Sequence, residues 1–133
     1  MGASGAGTWE SHHAITTLLF RYAELMDAAD YDGLRELFAD ATLTNEGFPG
    51  EVVGGDAIVR LYERTNRVHA DGTLRTRHLT TNVIVDVDEV AGSASARSAF
   101  VVFQATTPSR MASVSECLLS ARKYFCSSLP VLT

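Results

Sequence analysis

The segment Arg77-His78-Leu79-Thr80-Thr81-Asn82-Val83-Ile84-Val85 constrains the fold more than any other part of this chain. It reads as a long strand. Side chains alternate along a strand, so Thr76, His78, Thr80, Asn82 and Ile84 are expected on one face and Leu79, Val83 and Val85 on the other. The second face is apolar enough to meet a core or a partner subunit. The first carries a histidine and an amide in its middle, which a simple core disfavours because buried polar groups need partners. A sheet face that is polar at its centre and apolar at its end suits the floor of a pocket. The surrounding chain is then expected to supply the walls.

Composition narrows the class of protein. The chain has 133 residues, is 46% hydrophobic and 20% charged, and fits one globular domain with a real core. Its net charge of −5 argues against a nucleic-acid partner, which would require a basic stripe. The arginines Arg60, Arg64, Arg67, Arg75 and Arg77 are dispersed and read as solvated surface. No apolar run approaches the roughly 20 residues of a membrane-spanning helix. The first seven residues lack the charged and apolar regions of a secretory signal, and Ala6 breaks the myristoylation pattern. A cytoplasmic protein is expected. Cys117 and Cys126 have no metal-site spacing and read as free thiols, so neither a metal nor a cofactor is expected.

Residues 1–10 read as a flexible tail. Thr8 or Ser11 can cap a first helix. Ile15, Leu18, Leu19, Tyr22 and Met26 then form one helical stripe. His12 and His13 are adjacent, cannot share a helix face, and read as a surface start. Asp27 stands beside the stripe at the end of this helix, where the helix dipole disfavours an acid. It is either solvent-exposed there or held by a partner. Asp30 or Asp32 caps a short second helix whose apolar side is Leu34, Leu37 and Phe38. Ala41 to Asn45 alternates as a strand, and Glu46-Gly47-Phe48-Pro49-Gly50 reads as a loop in which Phe48 can cover a pocket mouth.

The third helix starts at Gly54-Gly55-Asp56 with Asp56 as cap. Ile58, Leu61, Tyr62 and Val68 are its buried side, and Arg60–Glu63 and Glu63–Arg67 are spaced for pairing. The two glycines resemble a phosphate-binding turn only faintly. Asp71-Gly72 is a turn, Thr73 to Val87 is the long strand, and Asp88 to Gly92 connects it to a second long strand, Ser93 to Ala105. The small residues Ala94, Ala96 and Ala99 permit strong curvature or a close helix. After Pro108 the character changes. Val114, Cys117, Leu118, Ala121 and Phe125 have helical spacing, so a last helix is expected from Ser113 to Cys126.

Three helical patterns with one strand among them, followed by two long antiparallel strands, give an α+β order. The order and spacing of Ile15 to Asp30, Leu34 to Phe38 with Ala41-Thr42-Leu43, Gly54 to Ile58, and Arg77 to Val83 resemble the SnoaL-like group of the nuclear transport factor 2-like superfamily. That group includes scytalone dehydratase and hexachlorocyclohexane dehydrochlorinase. The resemblance spans roughly residues 10 to 105, within a domain read as 11–106. It implies a cone-shaped, curved antiparallel sheet, cystatin-like in class, with N-terminal helices on its concave face and a deep, mostly apolar cavity between them. It also implies a catalytic histidine–aspartate pair, matched here by His78 and Asp27. Tyr22 matches a polar cavity position on the first helix. Tyr22 and Asn82 are the candidate positioning groups, and Phe38, Phe48 and Tyr62 the candidate substrate-binding walls.

The chemistry follows from the residue types. A neutral imidazole takes a proton, and a carboxylate on its far nitrogen fixes the tautomer and stabilises the imidazolium. Such a base in an apolar pocket suits proton removal followed by elimination or a double-bond shift. No Gly-x-Ser-x-Gly nucleophile elbow is present. The expected function is a cofactor-free lyase or isomerase acting on a small apolar cyclic molecule. The alternative is a non-catalytic ligand-binding or subunit-supporting module of the same fold. Residues 107–133 depart from the family, which continues with two more strands. Either a helix replaces those strands or the end is truncated or frame-altered. A missing wall would expose apolar sheet, so a homodimer or higher oligomer is expected.

Overall fold

A computed structural model of the chain describes residues 7–105 and 122–127. Helix α1, Trp9–Asp27, begins where the Thr8 hydroxyl accepts the Ser11 backbone N–H at 3.2 Å. Ile15, Ala23, Leu25 and Met26 are its buried residues. Leu18, expected in the stripe, is instead 44% exposed, because the buried side of α1 is turned toward Leu25. Ala29 has φ of +53°, which turns the chain sharply into α2, Tyr31–Leu37. Asp30 caps that helix, accepting from the Gly33 N–H at 2.9 Å.

Strands β1, Thr42–Asn45, and β2, Phe48–Val53, form an antiparallel hairpin. The segment read from sequence as a loop through Gly50 therefore contains the start of a strand. Pro49 and Gly50 hid it, yet among the described residues β2 pairs with β1 alone and is an edge, where such residues are tolerated.

Helix α3 runs Gly55–Thr65. Its cap is Gly54, with φ of +83°, and not Asp56. Asp56 lies in the first turn and accepts from Arg35 Nε of α2 at 2.8 Å. The helix ends before Arg67 and Val68, so the expected Glu63–Arg67 face and the burial of Val68 do not occur; Val68 is exposed. At Gly55 α3 comes close to α2, since a Cβ there would sit 2.1 Å from the Arg35 carbonyl oxygen. That approach seals the core, in which Leu34, Ile58 and Val59 are fully buried among Leu25, Met26, Phe38 and Leu74. Burying each such aliphatic side chain contributes about 1.5–3 kcal/mol.

Strands β3, Thr76–Asp88, and β4, Ser93–Gln104, pair antiparallel along nearly their whole length, with His78 opposite Val102 and Thr80 opposite Phe100. The register breaks between Thr81 and Ile84, where two residues of β3 face one of β4. Strand β5, Arg122–Ser127, pairs with the other edge of β4, placing Phe125 opposite Ala99 and Lys123 opposite Val101. This overturns the expected helix over residues 122–126; residues 113–121 of that expectation lie outside the described residues. The edge of β4 offers a row of backbone donors and acceptors, and pairing them outweighs a weak local helical spacing. Among the described residues the result is helices with two antiparallel sheets, one of two strands and one of three.

Candidate functional site

Asp27 is the last residue of α1, and the structure resolves its two readings in favour of a held carboxylate. Its side chain is only 9% exposed. The turn at Ala28 and Ala29 leaves it projecting from the helix end toward the start of β3. There Oδ1 accepts the Thr76 hydroxyl at 2.9 Å, and Oδ2 accepts the His78 backbone N–H at 3.0 Å. The His78 ring nitrogen Nδ1 lies 2.6 Å from Oδ1. Arg77 Nη1 stands 3.9 Å from Oδ2, too far for a hydrogen bond. The dipole penalty on an acid at a helix C-terminus is about 0.3–1 kcal/mol. It is offset by several charge-assisted hydrogen bonds, worth about 1.5–3 kcal/mol each.

Strand alternation explains why β3 can do this. Thr76 and His78 share one phase of the strand, so both side chains reach the same carboxylate. An ionised carboxylate only accepts, so the proton on the contact belongs to Nδ1 by hydrogen-bond logic. The second ring nitrogen, Nε2, then carries the lone pair. The His78 side chain is 10% exposed and packed among rings. Tyr22 meets it edge-on at 6.0 Å between centroids, and Phe100 lies tilted at 6.2 Å. Tyr22 in turn meets Phe38 at 5.8 Å, and Phe38 meets Tyr62 at 6.4 Å. A row of rings thus runs from the core to the imidazole.

A cleft of about 270 Å³ opens between α1 and β3 beside the carboxylate. Phe20, Glu24 and Asp27 line it from the helix, and Arg77, His78 and Leu79 from the strand. Its mixed lining combines an aromatic wall with a guanidinium at the rim. Among the described residues, no three His, Cys, Asp or Glu side chains converge as a metal site. No helix among them is long and apolar enough to cross a membrane.

The structure brings together Asp27, His78, Tyr22 and Phe38, with Tyr62 behind Phe38. It does not bring Asn82 to the group. Asn82 sits in the β3 bulge with φ of +52° and is exposed. The extra residue reverses the alternation, so Val83, Val85 and Val87 are half-buried while Asn82 and Ile84 are exposed. Asparagine suits the position because it tolerates the left-handed region better than most side chains. The expected common face of His78, Asn82 and Ile84 is therefore corrected at the bulge. Phe48 opens β2, and its side chain lies outside the described residues.

Two residues of the site were not singled out from sequence. Thr76 was findable, since it is two residues before His78 on the same strand face. Phe100 was not, because its place depends on the β3–β4 register.

The family model of the SnoaL-like domain matches residues 7–122 of this sequence. Among solved structures, a crystal structure from Xanthomonas campestris pv. campestris described as a "putative polyketide cyclase" is similar with a TM-score of 0.44. The two sequences are 18% identical, and the alignment covers 86% of this chain and 74% of that one. No curated protein matches the sequence.

Proposed function

The chain belongs to the SnoaL-like domain family of the nuclear transport factor 2-like superfamily, and from that premise we propose that it is a cofactor-free lyase or isomerase in which His78 is the general base. The observation that carries this reading is the 2.6 Å contact between His78 Nδ1 and Asp27 Oδ1. That contact leaves Nε2 as the acceptor, beside Tyr22 and Phe100. In the reaction, Nε2 takes a proton from an activated carbon of a small, mostly apolar ring compound. The electron pair left behind forms the new double bond as a leaving group departs from the neighbouring carbon. A halide leaves as the anion. A hydroxyl leaves as water once Nε2 returns its proton to it. In an isomerisation the same proton returns to a different carbon. Asp27 stays ionised throughout and stabilises the imidazolium through Nδ1.

A positioned general base contributes about 10²–10⁴-fold in rate. The test uses a panel of small cyclic ketones and their β-hydroxy and β-halo derivatives in D₂O, followed by proton NMR. Loss of the acidic carbon–hydrogen signal, or elimination, is expected with the parent protein and reduced about 10²-fold or more in His78→Gln. Equal rates in parent and variant across the panel, or no protein-dependent exchange at all, would leave the domain as a binding or subunit-supporting module.

A further inference from the structure

The Asp27 carboxylate is gripped on Oδ1 by two side chains of one strand. Thr76 Oγ1 donates at 2.9 Å and His78 Nδ1 approaches at 2.6 Å. The His78 backbone N–H lies between the two oxygens, 3.0 Å from Oδ2 and 3.2 Å from Oδ1. The backbone bond alone does not fix the plane of the carboxylate, because the terminal torsion of an aspartate is broad. A donor on Oδ1 that cannot turn with the carboxylate does, and Thr76 supplies it, whereas the imidazole turns about a broad terminal torsion of its own. We propose that Thr76 is a positioning residue, whose hydroxyl locks the Asp27 carboxylate in the orientation that keeps the His78 proton on Nδ1 and the lone pair on Nε2. This rests on the reading of His78 as general base and adds what sets its tautomer.

Three features support it. The donation comes from a half-buried hydroxyl, so water competes weakly for the carboxylate oxygen. Thr76 and His78 share a strand phase, so the same backbone segment that fixes one fixes the other. Asp27 stands on a different element, at a helix end where nothing within α1 restrains its side chain. Without the hydroxyl, the carboxylate can turn about its own torsion, and Oδ1 leaves the ring nitrogen in part of the population. The imidazole then populates both neutral tautomers. In the Nε2–H form the nitrogen meant to accept a proton already holds one.

The experiment reads the tautomer directly, from the ¹⁵N shifts of the His78 ring nitrogens at a pH where the ring is neutral. The donor at position 76 is graded with Thr76→Ser, Thr76→Cys and Thr76→Val, and Asp27→Ala is measured alongside. The Nδ1–H fraction is expected to match the parent in Thr76→Ser, fall in Thr76→Cys and fall furthest in Thr76→Val. The tautomer ratio in Thr76→Val should drop about tenfold, the equivalent of one hydrogen bond of ordinary net strength. A purely structural role would lower the urea midpoint without moving the tautomer ratio, and that result overturns the proposal. So does a serine variant that fails to restore the parent ratio. Should Thr76→Val not fold, the serine and cysteine variants still give opposite expectations. If Asp27→Ala shifts the tautomer and the Thr76 series does not, only the role of Thr76 fails. If neither shifts it, the His78–Asp27 pair fails as well.

Discussion

Replacing Asp27 by asparagine sets two physical effects against each other. The helix dipole disfavours an anion at the end of α1, so neutralising it should stabilise by about 0.3–1 kcal/mol if nothing else mattered. The structure gives the opposite sign. Both carboxylate oxygens accept hydrogen bonds, from the Thr76 hydroxyl and His78 Nδ1 on one side and from the His78 backbone N–H on the other. An asparagine side chain offers one acceptor oxygen and turns an NH₂ group toward the remaining donor. One donor at a site where the side chain is 9% exposed loses its partner, at about 1–3 kcal/mol. The surviving bonds lose their charge assistance, and with it part of the difference between charged and neutral bonds. The net is a destabilisation of about 2 kcal/mol, which exceeds the dipole gain. With a urea slope of about 1–3 kcal/mol/M, the midpoint should fall by about 1 M. The assay is urea unfolding at neutral pH followed by circular dichroism. An unchanged or raised midpoint in Asp27→Asn would refute the held carboxylate and favour a solvated acid at a helix end.

Two further predictions test the frame around the site. In Gly55→Ala the new Cβ would stand 2.1 Å from the Arg35 carbonyl oxygen, against 3.4 Å for ordinary contact, so α2 and α3 must part by about 1.3 Å. Overpacking of this kind costs about 1–3 kcal/mol, and thermal unfolding should show a lowered midpoint; an unchanged one would mean the two helices are not tightly docked. Glu89 is held below the ordinary glutamate value by the Ser11 hydroxyl and then by the Thr8 N–H. A carboxyl lowered in the folded state supports it above its unfolded value and loses that support as pH falls through its folded value. Protection of the Thr8 amide from exchange should therefore fade on acidification below about pH 4.5, the ordinary value. In Glu89→Gln that acid-dependent fading should be absent.

The site was half legible in the sequence. His78 announces itself as a polar residue within an apolar strand, and Asp27 as an acid where a helix dipole disfavours one. Each anomaly is local, so each can be read without a fold. Their contact could not be read that way, since 51 residues separate them; the family resemblance supplied it. Asn82 shows the limit of periodicity. Alternation assigns it to the face of His78 until one extra residue at the bulge reverses the phase, and nothing in the local pattern marks where β4 will decline to follow β3. The end of the described chain shows a second limit: Arg122–Ser127 is strand because β4 offers an edge.

What the sequence alone determined is the set of elements whose cause is short-range: the helix through Ile15 to Met26, a second helix capped by one of two aspartates, a third helix with Ile58 on its buried side, and two long strands, read from Thr73 and from Ser93. Their signals are side-chain periodicity and caps, which act within a few residues. Tertiary structure decided the rest. It chose which acid is held and by what, turned Asn82 outward, converted a Gly-Pro loop into an edge strand and seated Phe100 against His78. These depend on register and on backbone groups finding partners across the chain, and a buried donor or carboxylate accepts whichever partner the packed fold brings within about 3 Å.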